Sequence, residues 1–327
     1  MTARFPRSRL RRMRAREALR RLVRETDLEP RHLVAPLFVK EGIDEPAEIG
    51  SMPGHVQHSL ESLRKEAVDI AGRGISAFVL FGVPARKDAE GSGSWKPDGI
   101  SQQALRALKE ELGDDAVVIA DLCLCEYTDH GHCGVLDGIE VQNDRTLDIY
   151  RRIASAQAEA GADLVAPSGM MDGQVGAIRD ALDAAGFTNV GILAYAAKFA
   201  SAFYGPFRDA AEGAPRFGDR RSHQMDPANL DEAVREVEQD IAEGADIVMV
   251  KPALPYLDVI RAAKQATGHP VAVYNVSGEY AMVKAAAERG WIDGRAVTLE
   301  ILTAFRRAGA DLVLTYHAKE AADWLRG

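Results

Sequence analysis

The nonapeptide Gly244-Ala-Asp-Ile-Val-Met-Val-Lys251-Pro252 carries a helix stop, a strand and a strand end in nine residues. Its apolar run is continuous instead of alternating, as suits a parallel strand covered on both faces. The glycine in front is the residue that most readily takes the left-handed turn closing a helix. The same Gly-Ala-Asp stands before two further runs, at Gly161 and Gly309. Working outward, short apolar runs recur at 33–39, 76–83, 117–122, 163–167, 190–195, 246–250, 270–275 and 311–316. Amphipathic segments such as 144–160 and 226–243 lie between them. Eight strand–helix units in series predict an α/β fold of the closed (β/α)8, or TIM, barrel type more naturally than an open doubly wound sheet. A dinucleotide fold would need Gly-x-Gly-x-x-Gly after its first strand, and none stands there. Gly91-Ser92-Gly93-Ser94 reads as a mobile lid or linker ahead of a helix from Ser101.

The 327 residues, 46% hydrophobic and 27% charged, suit one barrel with additions. We expect a basic N-terminal arm over 1–30 and a catalytic barrel over 31–327. Residues 1–24 hold ten arginines against the single acid Glu17, about +9; the chain's −9 therefore leaves about −18 for the rest. A basic tail suggests nucleic acid, a membrane surface or a transit segment. An acidic body with few aromatics argues against nucleic acid, so the simplest reading is an arm docking on an acidic neighbouring subunit. No apolar run approaches the ~20 residues that span a bilayer. The first 24 residues lack the apolar core of a secretory signal. All three cysteines lie between 123 and 133, which argues for metal or redox chemistry in a reducing compartment over a disulfide framework. The expected location is the cytoplasm.

Catalytic groups of such barrels stand at the C-terminal ends of the strands. The polar residues expected there are Asp121, Cys123, Cys125, Ser168, Lys198, Lys251, Ser277 and Tyr316. Lys251 ends the sixth run, and Lys198 follows the fifth among small and apolar residues. Alone, each reads as a lysine laying its stem along apolar surface. On adjacent strands they should face one cavity, where burial and mutual repulsion favour a neutral, nucleophilic amine. Cys123, Cys125 and Cys133 are spaced C-x-C-x7-C, with His130 and His132 nearby. Three protein ligands and an open position are typical of catalytic zinc, and thiolates are soft ligands; the plain alternative is three small buried hydrophobes. The segment 199–224 is long and rich in glycine, aromatics and arginines. It suggests either a lid over an anionic substrate or a solvated loop.

Asp121–Gly134, Ala166–Gly173, Ile192–Arg208, Met249–Asp258 and Tyr274–Met282 together resemble the porphobilinogen synthase (5-aminolevulinate dehydratase) family, in its zinc-dependent branch. The likeness runs from about Arg11 to the C-terminus. It implies a (β/α)8 barrel whose arm embraces a partner, assembled as a homo-octamer, and an enzyme of tetrapyrrole (haem) biosynthesis. The implied reaction joins two 5-aminolevulinate molecules into porphobilinogen with loss of two waters. Lys251 and Lys198 would form Schiff bases with the propionate-side and acetate-side substrates, and Asp121 would order the nearby amine. Arg208 and Arg221 would grip one substrate carboxylate, and Ser277 and Tyr316 the other. Cys123, Cys125 and Cys133 would hold Zn2+, and Glu236 an allosteric Mg2+, although an acid-rich helix there also reads as an ordinary solvated face. His223 and His317 stand where the family leads one to expect an aromatic. The rival readings are a class I Schiff-base aldolase, which needs one lysine and no thiolate metal, and a zinc-stabilised scaffold.

Overall fold

The computed structural model describes residues 4–326; residues 1–3, the tip of the expected arm, lie outside the described residues. Eight parallel strands close on themselves: β1 (Leu33–Lys40), β2 (Ala77–Val83), β3 (Val117–Leu122), β4 (Leu164–Pro167), β5 (Gly191–Lys198), β6 (Ile247–Lys251), β7 (Val271–Asn275) and β8 (Leu312–Thr315). Leu33 and Val34 of β1 pair with Val313 and Leu314 of β8, which seals the barrel. The outer ring comprises α1 (Leu60–Ala71), α2 (Ile100–Leu112), α3 (Asn143–Glu159), α4 (Gln174–Ala184), α5 (Leu230–Ala242), α6 (Leu257–Thr267), α7 (Ser277–Glu288), α8 (Gly294–Ala308) and α9 (Ala318–Arg326). The fold is the one the apolar runs predict.

Continuous apolar strands are needed because each has two buried faces. Val34, Phe38, Val79, Phe81, Ile119, Leu193, Tyr195, Met249, Tyr274 and Leu314 fill the barrel interior. Their neighbours Ala35, Leu37, Phe78, Leu80, Val118, Val248, Val250 and Val273 pack outward against the helices. The Gly-Ala-Asp motif does more than stop a helix. Gly161, Gly244 and Gly309 do take positive φ, at 96°, 111° and 126°, where a Cβ would be strained. The aspartate after each then accepts a hydrogen bond from an N–H near the start of the preceding strand. Asp163 receives Val118 N, Asp246 receives Ile192 N and Asp311 receives Val271 N, each at 2.8 Å. The motif thus links β4 to β3, β6 to β5 and β8 to β7 at the bottom of the barrel.

Residues 4–24 lie outside the barrel wall. They form a 3-10 turn (Leu10–Arg14) and a short helix (Glu17–Leu22) that bury none of their own residues, and Phe5, Leu10 and Leu22 are exposed. No helix among the described residues is long and apolar enough to cross a membrane. At Gly91–Ser94, expected as a mobile lid or linker, the chain forms a packed turn. Ser92–Trp95 is a 3-10 turn in which Gln102 Nε2 donates to Ser94 O at 2.8 Å. A Cβ on Gly91 would stand 2.7 Å from Leu124, so the turn is packed against the cysteine loop.

Candidate active site

The strand ends place the reactive side chains. β5 runs three residues further than its apolar run suggests and ends on Lys198. Its pairing with β6 slips on the way: Val248 faces Ala194, but Val250 faces Ala197 and Lys251 faces Lys198. Three residues of β5 therefore oppose two of β6, the signature of a β-bulge. Since side chains alternate along a strand, an unbulged β5 with Tyr195 inward would turn Lys198 out. The extra residue turns it in, beside Lys251.

Both lysines are only 5% exposed. Their Nζ atoms stand over the Tyr195 ring, 5.6 Å and 5.0 Å from its centroid, and Lys251 also lies 4.2 Å from that of Tyr274. Lys198 Nζ donates to Ser168 O. Burial, seconded by the neighbouring Lys198 charge, lowers Lys251 to about 7. Such an amine is free in a large fraction of molecules at neutral pH. Asp121 faces the same cavity, its Oδ1 buried without a partner. Burial first, then Glu126, pushes its carboxyl well above the ordinary range. The cavity is completed by Phe81, Cys125, Glu126, Ser168, Tyr204, Phe207, Arg208 and Arg220. Phe207, on the short helix Gly205–Ala210, closes the barrel mouth. Its ring lies 5.0 Å from Lys251 Nζ and packs edge-on against Phe81 at 5.2 Å.

Ser277 stands one strand further round, after β7, and Tyr316 two, after β8. Ser277 Oγ accepts from Phe207 N at 2.9 Å, and Tyr316 shares a 2.9 Å hydrogen bond with Tyr274. On the opposite side, the thiols of Cys123, Cys125 and Cys133 are buried and lie within 4.8 Å of one another. Hydrogen bonds from Cys125 and Cys133 hold Cys123 well below its usual value, and the same contacts push Cys125 up and Cys133 up to about 11. One thiolate thus forms easily and resists a second, an obstacle that a bound cation removes. The donor set fits a soft metal ion. Tyr150 supports the loop by donating to Cys133 O at 2.7 Å.

A barrel carrying paired lysines beside three clustered cysteines matches the delta-aminolevulinic acid dehydratase profile over residues 7–324. The chain belongs to that family. Among its relatives, the Mycobacterium tuberculosis delta-aminolevulinic acid dehydratase is 60% identical over 324 residues, covering 98% of each chain. The Synechococcus elongatus protein of the same name is 57% identical over 325 residues, covering 98% of this chain and 99% of that one. A Toxoplasma gondii delta-aminolevulinic acid dehydratase (porphobilinogen synthase), crystallised with the reaction product porphobilinogen, superposes with a TM-score of 0.95 at 47% identity. That match covers 97% of this chain and 91% of the other.

One expected carboxylate-binding residue, Arg221, lies away from the lysine cavity. Arg221 is 81% exposed and pairs with Asp219 at 3.6 Å. Its neighbour Arg220 is buried in the lysine cavity instead, donating to Gly131 O and Gly213 O. Burial works against the charge of Arg220, and the three cysteines with Glu126 more than offset it. No sequence signal separates the two arginines, because their loop has no periodicity. Glu236 lines a separate open cleft with Asp172, Arg221, His223 and Glu232, where burial and then Asp172 raise its carboxyl. His223 Nε2 is buried without a partner beside this cleft, and His317 is buried against Tyr280 with Nδ1 on Glu320. Glu126, Tyr195 and Phe207 complete the lysine cavity, and no motif reading marked them individually.

Proposed function

We propose that this chain joins two 5-aminolevulinate molecules into porphobilinogen through Schiff bases on Lys251 and Lys198. The observation that carries this reading is the pair of 5%-exposed lysines facing each other across β5 and β6. The free amine of Lys251 attacks a substrate ketone, whose oxygen leaves as water. Lys198 captures the second ketone in the same way. One C–C and one C–N bond then form, the lysines are released, and two waters leave per product. Asp121, whose Oδ1 is buried without a partner beside both amines, takes and returns protons at their nitrogens. Arg208 with Arg220, in place of Arg221, holds one carboxylate by charge-assisted hydrogen bonds, and Ser277 with Tyr316 holds the other. Phe207 keeps bulk water from the imines, which hydrolyse when wet.

Cys123, Cys125 and Cys133 would hold zinc, whose open position supplies a Lewis acid or a bound hydroxide. Glu236, with Asp172 and Glu232 near it, would take a magnesium ion outside the lysine cavity. The exposed apolar residues of the arginine-rich arm support docking on an acidic second copy, within an octamer in the cytoplasm. The test is to supply 5-aminolevulinate and thiol and assay porphobilinogen with Ehrlich's reagent, with and without stringent chelation. Pyrrole formed in the metal-replete sample alone supports both the lysine chemistry and the metal. Full activity after chelation removes the metal from the reaction, and no pyrrole in either sample removes the reading.

A further inference from the structure

Glu279 lies one turn inside α7 and is wholly buried, yet among the described residues it pairs with no lysine or arginine. An isolated buried carboxylate is costly unless fixed donors surround it, and four do. Oε1 accepts from Ala253 N at 3.2 Å and Leu254 N at 2.9 Å. Oε2 accepts from Asn275 Nδ2 at 2.6 Å and Val276 N at 3.0 Å. The Val276 bond is the ordinary return of an N3 glutamate to its helix start. The Ala253 and Leu254 bonds are different, because they reach across to the end of β6. Pro252 has no N–H, so the first two N–H groups after Lys251 both end on one oxygen of Glu279.

The network continues to β8. Thr315 Oγ1 donates to Asn275 Oδ1 at 2.8 Å and accepts from His317 N at 3.1 Å. The amide of Asn275 therefore has one orientation: donation runs from His317 through Thr315 and Asn275 to Glu279, where the Ala253 and Leu254 N–H groups converge from the other side. The network ties together the three strand ends that carry Lys251 (β6), Ser277 (β7) and Tyr316 (β8). Lys198, on β5, lies outside it.

We propose that Glu279 is the positioning residue of the Lys251 half of the site, fixing the backbone after Lys251 against Ser277 and, through Asn275 and Thr315, against Tyr316. This rests on the Schiff-base reading of Lys251. Every neighbour of Glu279 is a donor, so a glutamine there must set its NH2 against at least one pair of N–H groups.

The experiment compares reductive trapping of 5-aminolevulinate at each lysine, read by peptide mass, in the full-length protein, Glu279→Gln and Thr315→Val. Trapping at Lys251 should fall about 100-fold in Glu279→Gln and about tenfold in Thr315→Val, with Lys198 trapped at the wild-type rate in both. The Lys198 adduct separates positioning from general loss of structure. Equal falls at both lysines, or a lowered melting temperature with both rates unchanged, would overturn the proposal. If Glu279→Gln does not fold, Thr315→Val decides by the same ratio. Absence of trapping at Lys251 in the wild-type protein would instead defeat the underlying Schiff-base reading.

Discussion

The lowered proton affinity of Lys251 makes a quantitative prediction. At pH 7 a lysine with the ordinary value of 10.5 is free amine in about one molecule in 3,000, whereas at about 7 it is free in about half. Burial and Lys198 together are therefore worth roughly 1,500-fold in reactive amine at neutral pH. The sign follows from the direction of the shift: the amine is charged and inert below about 7 and free above it. Competitive acetylation against a free-amine standard, read on the Lys251 peptide across pH 5.5 to 10, measures this directly. Reactivity should rise tenfold per pH unit up to about 7 and then level off. In Lys198→Met the inflection should move up, because a neighbouring charge has gone, but stay well below 10.5, because burial is the larger cause. Reactivity that climbs steadily through pH 9 in the wild-type protein would refute the argument.

Other perturbations test the remaining parts. Lys251→Met should stabilise the fold, since charging a buried amine costs free energy. That cost is full below about 7 and gone above 10.5, with an upper limit of about 5 kcal/mol at ~1.4 kcal/mol per pH unit; equal gains in urea midpoint at pH 6.5 and 10 would contradict this. Arg220→Lys should raise KM about 10- to 100-fold, the value of a charge-assisted hydrogen bond of ~1.5–3 kcal/mol, while Arg221→Ala changes KM little; the opposite ranking would restore Arg221 to the site. In Gly169→Ala the new Cβ would stand 1.8 Å from Tyr150 Oη, whose hydrogen bond supports Cys133. Metal retention on dialysis should fall there, with Lys251 trapping preserved. Deleting residues 1–24 should lower the oligomeric state, and an unchanged sedimentation profile would refute the docking arm.

How far the sequence carried these conclusions varies with the physics of each element. A strand buried on two faces must be apolar throughout, so all eight strands were legible from their runs, seven of them to within about a residue. β5 was not, because its last turn is Ala-Ala-Lys and its end depends on a bulge, a pairing property that no single strand encodes. The cysteines were legible because they lie within eleven residues of one another, and so few residues can scarcely avoid sharing a site. Arg220 and Arg221 were not separable, since burial in an irregular loop is set by its contacts with Gly131 and Gly213, remote in sequence. Glu279 read as one helix residue among others. Its role depends on two N–H groups twenty-six and twenty-five residues away, left over after a proline.

The central claim is that two lysines, not one, hold substrate. Reduction of the wild-type protein in the presence of 5-aminolevulinate, followed by peptide mass mapping, tests it most directly. Adducts are expected on both the Lys251 and the Lys198 peptides, with Lys251→Met losing its own. A single adduct confined to one lysine at saturating substrate would rule out the two-lysine reading and favour a one-lysine, aldolase-like chemistry.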